Sequence, residues 1–317
     1  MRLNVLVLAP AAAVLLILTS PAQAQAQAPA QARPAAPVLR LNAAADTSIF
    51  GAALAMAIGS VFIPVDTTGR LDAELLPFDQ AMRGRFSQSA NEASNALIFA
   101  QLLLPIAVQA SLGVDARFAE SMVVYGESLV VSAALNALTK RLVSRPRPYV
   151  YSDDPLIMRW AEGQGDDSRL SFYSGHSALA FTAAVSGAYL YGMRSDDRAA
   201  RAAIWGFEIA FAAATANLRT RAGRHFYSDI VVGAVTGSAV GLLVPLLHRA
   251  EGVTYAPSAA EWGAMAGGLL AGVLVSELLP FDTDVSLPVA LVPSEAAGGT
   301  SLSLVLDLRA LWDRLGA

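Results

Sequence analysis

Residues 221–235 read RAGRHFYSDIVVGAV, a run of charged and aromatic residues that leads directly into a long apolar segment. His225 and Asp229 are four residues apart, so on a helix they would share one face. Charged groups beside an apolar segment are costly unless they are paired or take part in function. The stretch therefore raises two questions: what the apolar segment belongs to, and what the histidine and the aspartate do.

The apolar segment is one of several in a very hydrophobic chain. Hydrophobic residues make up 55% of the 317 residues and charged residues only 15%, against about 25% charged residues in ordinary soluble domains. Alanine, leucine and glycine dominate the segments and strand-like alternation is absent, which predicts an all-α bundle of about six core helices. The predicted helices cover residues 48–64, 97–113, 118–140, 176–193, 201–217, 227–248 and 260–279.

The two ends of the chain differ from the helical part. Residues 1–24 combine Arg2, an apolar stretch and an A-x-A site, the pattern of a secretory signal peptide, with an uncleaved anchor helix as the alternative. Residues 25–46 are rich in Ala, Gln and Pro and predict a flexible tether. The helical domain is expected over residues 47–280. In residues 281–317 two strand-like stretches flank SEAAGG, which predicts a short C-terminal β-hairpin.

The predicted helices suit either a membrane-embedded bundle or a tightly packed soluble one. Several have just the length of roughly 20 residues that crosses a bilayer. However, Glu127, Glu208 and Glu277 fall within or near apolar segments, and an acidic residue at a bilayer centre costs about 3 kcal/mol. Gly233 and Gly237 have the G-x-x-x-G spacing of close helix packing, which occurs in both environments. We favour membrane association and keep the soluble, exported bundle as the alternative.

Composition also excludes several classes of function. The chain has no cysteine, so disulfides, thiolate metal sites and cysteine catalysis are excluded. A net charge of −4 without a basic stripe gives no sign of nucleic-acid binding. Of the three histidines, His248 lies beside Arg249 at the end of a predicted helix, and we interpret it as a helix-terminal cation with no catalytic part.

The first stretch with residues suited to catalysis or ligand binding is KRLVSRPRP, residues 140–148. Lys140 ends a predicted helix, and the prolines that follow hold Arg147 in an extended conformation, from which it can point back toward the helix end. Two fixed cations at such a position suit an anion such as phosphate. A solvated basic loop, or positive charges that flank a membrane helix, is the alternative.

The second stretch is SFYSGHSALAF, residues 171–181. Ser174 is a plausible N-cap of the helix that follows, and Gly175 lets a ligand approach the backbone closely. A helix N-terminus offers free N–H groups to an anion, and His176 would stand in that first turn. The alternative is a capped helix with a partly buried histidine.

The third stretch is LRTRAGRHFYSD, residues 218–229. A carboxylate such as that of Asp229 can hold one ring nitrogen of His225 through its N–H, which leaves the other nitrogen unprotonated and nucleophilic. Arg219 can reach the same anion. A metal site is disfavoured because it needs more ligands, whereas a structural His–Asp pair remains the alternative.

The three stretches match one set of motifs in order and spacing. The residues that match K-x6-R-P, S-G-H and R-x5-H-x3-D are Lys140, Arg147, Pro148, Ser174, Gly175, His176, Arg219, His225 and Asp229. With this set, residues 118–248 resemble the core of the type 2 phosphatidic acid phosphatase superfamily, which includes class A acid phosphatases and vanadium haloperoxidases. Tyr173 replaces the family's proline and Leu218 its serine, which puts fine geometry and substrate preference in question.

The resemblance implies a type 2 phosphatidic acid phosphatase-like helical fold and phosphoryl transfer that needs no metal or other cofactor. It implies that His225 attacks phosphorus and forms a phosphohistidine, that Asp229 orients His225, and that His176 protonates the leaving oxygen. The phosphate-binding residues that it implies are Lys140, Arg147, Ser174, Gly175 and Arg219.

We therefore expect a phosphatase of a bacterial-type cell envelope that acts on phosphate monoesters or diphosphates of a lipid. The expected location is the inner membrane, with the site facing the periplasm. A soluble periplasmic acid phosphatase for small phosphoesters is the alternative, followed by a vanadium haloperoxidase and an inactive scaffold. The identity of the substrate and the oligomeric state are left open.

Overall fold

A computed structural model of the chain describes residues 37–67, 76–281, 289–296 and 299–306. These residues are mostly helical, and the all-α prediction is confirmed. The α-helices in the described part are α1 (Ala43–Ser60), α2 (Gln88–Ala110), α3 (Ala116–Val143), α4 (Pro155–Glu162), α5 (Gly175–Arg194), α6 (Arg198–Arg221), α7 (Tyr227–Leu247) and α8 (Ala259–Leu278). Single 3₁₀ turns lie at Gln80–Met82, Pro148–Tyr151 and Gly165–Arg169. The predicted signal peptide and most of the predicted tether fall outside the described residues.

Seven of these helices correspond to the apolar segments of the sequence, but the observed boundaries follow the capping residues. Helix α2 begins well before its apolar segment, because Ser87 caps it by accepting a hydrogen bond from Ala90 N (3.2 Å). Helix α4 was not predicted, since it lies within a polar stretch. It begins with Pro155 after Asp154, whose carboxylate accepts from Leu156 N (2.8 Å).

Helix α5 is the centre of the bundle: 16 of its 20 residues are buried, and it packs against α2, α3, α6 and α7. The crossing with α7 is a backbone-to-backbone contact. A Cβ atom at Gly237 would overlap the carbonyl oxygen of Ala178, and one at Gly233 would collide with the Ser174 carbonyl oxygen. The G-x-x-x-G prediction of close packing is thus confirmed. One consequence is that the N-termini of the two helices lie side by side, where Ser174 N donates to the Asp229 carbonyl (3.1 Å).

The long helices run alternately between two ends of the bundle. Asp66 N donates to Ser144 Oγ (3.0 Å), which ties the segment after α1 to the end of α3. Arg40 N donates to the His248 carbonyl (2.6 Å), which ties the segment before α1 to the end of α7. We call the end at which α3 and α6 finish and α5 and α7 begin the motif end. The opposite end, where α1 begins, is the entry end.

Much of the outer surface of the bundle is apolar. Five of the helices, α1, α2, α3, α7 and α8, are long and apolar enough to cross a membrane. Large apolar side chains are exposed along them, among them Phe99, Leu103, Val235, Leu270 and Leu274. These features fit a membrane-associated protein.

At the C-terminal side, strands β1 (Val289–Ala296) and β2 (Gly299–Leu306) pair antiparallel, with Val289 opposite Leu306 and Ala296 opposite Gly299. The connecting residues 297–298 lie outside the described part of the chain. The C-terminal hairpin therefore stays a prediction, as do the proposed domain boundaries.

The turn after α6 sets the spacing between Arg219 and His225. Gly223 N donates to the Thr220 carbonyl (2.9 Å) and Arg224 N to the Arg219 carbonyl (3.1 Å). This is the Schellman pattern of a helix C-terminus, which requires a left-handed residue, here Gly223 with φ of 67°. The Arg219 carbonyl also accepts from His225 N (3.2 Å). The five residues between Arg219 and His225 in R-x5-H are thus the last turn of α6 and its C-terminal cap.

We expect Gly223→Ala to destabilise the fold and to abolish activity, because a Cβ there would overlap the backbone carbonyl of Arg85 in addition to the strain of a positive φ. Gly252→Ala is the matched control, since Gly252 has φ of 83° and open space around it. The control should lose about 1–2 kcal/mol, the cost of a left-handed alanine. Thermal unfolding in detergent measures both variants, and equal losses would contradict the proposed role of the turn.

Candidate active site

The three motif stretches converge at the motif end of the bundle. Arg147 follows α3 on an extended backbone, as predicted. His225 lies in the turn between α6 and α7, and His176 is the second residue of α5. Arg147 Nη1 lies 3.4 Å from His225 Nε2, so residues 78 positions apart in the chain meet at the imidazole.

The ring of His225 is fully enclosed and held in one orientation. Its Nδ1 lies 2.7 Å from the Ser171 carbonyl oxygen. Because a carbonyl oxygen can only accept, Nδ1 carries the proton and Nε2 is left with a free lone pair. That lone pair points toward the guanidinium of Arg147. The arrangement presents an unprotonated ring nitrogen beside a fixed cation.

Asp229 does not hold His225 directly, in contrast to the expectation from their spacing. His225 precedes α7, so the two residues do not share a helical face, and the Asp229 carboxylate lies 3.7 Å from Nδ1. Asp229 Oδ2 instead accepts from Ser171 Oγ (2.6 Å) and from Phe226 N (2.9 Å). Asp229 thereby fixes the two segments that hold the ring, and the Ser171 carbonyl takes the place that the sequence assigned to the carboxylate.

His225 is neutral in this environment. Burial lowers the pKa of its imidazole well below the usual range, because the charged form would lose its hydration. The positive charges of Arg147 and Lys140, and then that of Arg219, lower the pKa further. The ring nitrogen at Nε2 is therefore unprotonated at neutral pH.

Arg145 and Asp79 complete the support of Asp229, and neither was assigned a role from sequence. The Arg145 guanidinium donates to Asp229 Oδ1 and to Asp79 Oδ2 (2.9 Å). Asp79, fully buried, also accepts from Ser228 N (3.0 Å). Arg145 lies over the Phe226 ring, 4.2 Å from its centroid. Asp79 is remote in sequence from every motif, so only the fold could reveal it.

Polar residues near the start of α2 hold His176 and Arg219. Asn95 Oδ1 lies 2.9 Å from His176 Nε2, so this nitrogen carries a proton and Nδ1 is the acceptor. Arg219 Nη1 donates to Asn91 Oδ1 (2.9 Å) and to Ser94 Oγ (2.8 Å). These residues belong to a SANEASN run whose polar residues recur at helical spacing ahead of an apolar segment.

Ser174 and Gly175 form the beginning of α5. The predicted N-cap is confirmed, since Ser174 Oγ accepts from Ser177 N (3.3 Å). Asn136 on α3 donates to the Tyr173 carbonyl (2.8 Å), and its Oδ1 lies against Gly175 where a larger residue would collide. Lys140, half-buried, follows Asn136 by one turn on the same helix.

A carboxylate lies among the cations of the site. Asp167 Oδ1 accepts from Arg147 Nη2 (2.7 Å), and Asp167 Oδ2 accepts from Arg224 Nη1 (3.2 Å). Burial raises the pKa of Asp167, but the two arginines outweigh this effect, so the net pKa lies below the ordinary value and the group is ionised. Arg224 also lies over the Trp160 ring, 4.8 Å from its centroid. Neither Asp167 nor Arg224 was assigned a role from sequence.

A comparison with protein families agrees with this geometry. The family model described as PAP2 superfamily matches residues 121–252, a range that contains all eight predicted site residues. The resemblance to the type 2 phosphatidic acid phosphatase superfamily is thereby confirmed. Members of the PAP2 superfamily are phosphatases or related enzymes. No curated protein and no solved structure matches the chain.

We expect Asp167→Asn to tighten the binding of inorganic phosphate, because phosphate must displace the Asp167 carboxylate from Arg147. A partly exposed ion pair contributes about 0.2–1 kcal/mol, so the inhibition constant for phosphate should fall by up to about fivefold. Competitive inhibition of phosphoester hydrolysis measures it.

Asp166→Asn is the matched control for this prediction. Asp166 is the adjacent carboxylate, but it pairs with Arg141 (3.3 Å) instead of with a residue of the site. The control should leave the inhibition constant unchanged. Weaker phosphate binding by Asp167→Asn would mean that Asp167 serves only to position Arg147.

Proposed function

We propose that this protein is a metal-independent phosphatase that hydrolyses phosphate monoesters or diphosphates of a lipid through a phosphohistidine on His225. The observation that carries the proposal is the state of that imidazole. It is buried and neutral, its Nδ1–H is bonded to the Ser171 carbonyl, and its Nε2 lone pair faces Arg147.

In the first step, the lone pair of His225 Nε2 attacks phosphorus. A P–N bond forms while the ester P–O bond breaks, and the leaving oxygen takes a proton from His176 in its imidazolium form. The negative charge of a bound phosphoester favours that form of His176. Because Nε2 of His176 donates to Asn95, the transferred proton comes from Nδ1.

In the second step, water attacks the phosphohistidine. His176 accepts a proton from the water, the P–N bond breaks, and the electron pair returns to His225 Nε2 as phosphate leaves. The Ser171 carbonyl stabilises the positively charged ring of the intermediate through Nδ1–H, and the Asp229 carboxylate at 3.7 Å adds an electrostatic contribution.

The phosphoryl oxygens are bound by cations and N–H groups. Lys140, Arg147 and Arg219 neutralise the charge on the equatorial oxygens, which is the part a magnesium ion has in other phosphoryl-transfer enzymes. The start of α5 at Ser174 and Gly175 adds N–H donors and the positive end of the helix dipole. Since three fixed cations supply the charge, the reaction should not need a metal.

A lipid substrate is supported by the apolar surface next to the site. Helix α7 begins at the motif end, and its residues Val231 and Val235, one turn apart, are 58% and 65% exposed. An acyl or prenyl chain can lie along this face while its phosphate reaches His225. A soluble phosphatase for small phosphoesters would gain nothing from such a surface.

We expect His225→Ala to abolish phosphate release and the formation of a phosphoenzyme, while its thermal unfolding stays close to that of the wild type. His176→Ala is the informative partner variant. It keeps the nucleophile, so with a substrate whose leaving group needs no proton it should still form a base-stable, acid-labile phosphoenzyme that hydrolyses slowly. EDTA should have little effect on wild-type turnover, and vanadate should inhibit.

Turnover by His225→Ala at a substantial fraction of the wild-type rate would contradict the assignment of His225 as the nucleophile. A panel of phosphatidate, a polyprenyl diphosphate and p-nitrophenyl phosphate separates lipid from small substrates. Equal or better kcat/KM on the soluble ester would contradict the lipid assignment but not the phosphohistidine.

We propose an inner-membrane location in a bacterial-type envelope, with the motif end facing the periplasm. Helix α1 connects the entry end to the motif end, so in a membrane-spanning bundle Ala43 and His225 lie on opposite sides. A periplasmic site therefore requires Ala43 on the cytoplasmic side. Cleavage of an export signal at residue 24 would give the opposite orientation, so these two sequence predictions exclude each other for a spanning α1.

The absence of cysteine from the chain makes this orientation directly measurable. Asp153→Cys lies at the motif end and Asp196→Cys at the entry end, and both positions are exposed. With a membrane-impermeant maleimide on intact cells, we expect only Asp153→Cys to react. Reaction of Asp196→Cys alone would place the site in the cytoplasm, and reaction of both would contradict a membrane-spanning bundle.

A further inference from the structure

A second cluster of titratable residues lies at the entry end, away from the candidate active site. Asp46 on α1, Glu127 on α3 and His248 directly after α7 are all buried, at 7%, 1% and 6% exposure. One ligand atom from each lies within 4.8 Å of the other two. Lys140, on the same helix as Glu127, is 13 residues further on, or about 20 Å along the axis. The proposed phosphatase chemistry makes no use of the cluster.

The imidazole of His248 is arranged as a ligand would be. Its Nδ1 lies 2.9 Å from the Val244 carbonyl oxygen, so Nδ1 carries a proton and Nε2 faces the two carboxylates, where it can bind an ion once its own proton is released. A backbone carbonyl that holds the far nitrogen is the usual outer partner of a metal-bound histidine. The position of His248 at the end of α7 agrees with the sequence interpretation, and its ring is buried.

The distances suit a shared cation better than a hydrogen-bonded ion pair. His248 Nε2 lies 3.2 Å from Asp46 Oδ1 and 3.4 Å from Glu127 Oε2. A charged imidazolium would approach a carboxylate to about 2.7–2.9 Å. Ligands bound to one ion with bonds of about 2.0–2.2 Å are separated by roughly 3 to 3.5 Å.

The charges of the cluster also favour a bound cation. Glu127 Oε2 has no hydrogen-bond partner within the described part of the chain, although it is buried. In the same part, neither carboxylate forms an ion pair with lysine or arginine. Two carboxylates with one imidazolium leave a net negative charge in an apolar bundle, whereas two carboxylates and a neutral imidazole are balanced by one divalent ion.

We propose that Asp46, Glu127 and His248 bind a divalent transition-metal ion that fastens α1 to α3 and α7. One imidazole and two carboxylates suit zinc, manganese or iron(II), with water in the remaining positions. A cavity of about 560 Å³ has Asp46 in its wall. The backbone pairing of Leu39 with Arg249 holds the two segments on either side of the cluster together.

The ion has a structural purpose in this arrangement. Among its described residues, α1 buries only Asp46, Ala53 and Ser60, so few apolar contacts hold it to the bundle. A cross-link through Asp46 adds binding free energy to the docked state of α1 alone, and metal should therefore raise the unfolding temperature.

The test uses the full chain in detergent, stripped with EDTA and dialysed against zinc. We expect about one zinc per wild-type chain by mass spectrometry, and a rise in Tm that EDTA reverses. Glu127→Gln and His248→Ala should each weaken zinc binding by at least about tenfold. Glu251→Gln, an exposed carboxylate three residues after His248, and His225→Ala should bind zinc as the wild type does.

A wild-type titration with cobalt(II) keeps the test independent of whether the variants fold. Ligation by one imidazole and two carboxylates should give a saturable ligand-field absorption in the visible region, with one equivalent at the end point. No saturable absorption, or zinc bound equally by wild type and His248→Ala, would overturn the proposal. Loss of zinc in His225→Ala alone would move the metal to the phosphatase site and would also overturn it.

Discussion

A single hydrogen bond, from His225 Nδ1 to the Ser171 carbonyl, determines what the candidate site can do. It decides which ring nitrogen is free, and a free Nε2 is the condition for attack on phosphorus. The rest of the motif end keeps this bond in place. Asp229 ties Ser171 to the start of α7, and Arg145 and Asp79 hold Asp229 in turn. Remote groups therefore act on the chemistry through the position of one carbonyl oxygen.

Positive charge is the second requirement of the site, and burying that charge costs free energy of solvation. Lys140, Arg147 and Arg219 converge where burial disfavours charge, and polar partners stabilise the two arginines. Asn91 and Ser94 serve Arg219, and Asp167 serves Arg147. In the proposed reaction, phosphate would replace Asp167 on Arg147, while Asn91 and Ser94 would keep their contacts with Arg219.

The sequence predicted the helices and the motif residues because both are local signals. Apolar segments mark the helices, and R-x5-H-x3-D is the length of a helix cap followed by the first turn of α7. It did not predict Ser171, Asp79 or Asn95, whose roles depend on which elements meet in space. The expected hydrogen bond between Asp229 and His225 is not formed, for the same reason. Residue spacing does not reveal that a backbone carbonyl, that of Ser171, accepts from the ring N–H instead. Helix α4 was missed because it is stabilised by a cap and a few buried side chains instead of an apolar run.

The contact between α5 and α7 restricts how the enzyme can move. With Gly233 and Gly237 seated on the backbone of α5, the two helices cannot slide without a steric clash, so the walls that carry His176 and Asp229 form a rigid frame. The segment around Asp167 is held to that frame in a different way, largely by its polar contacts with arginines.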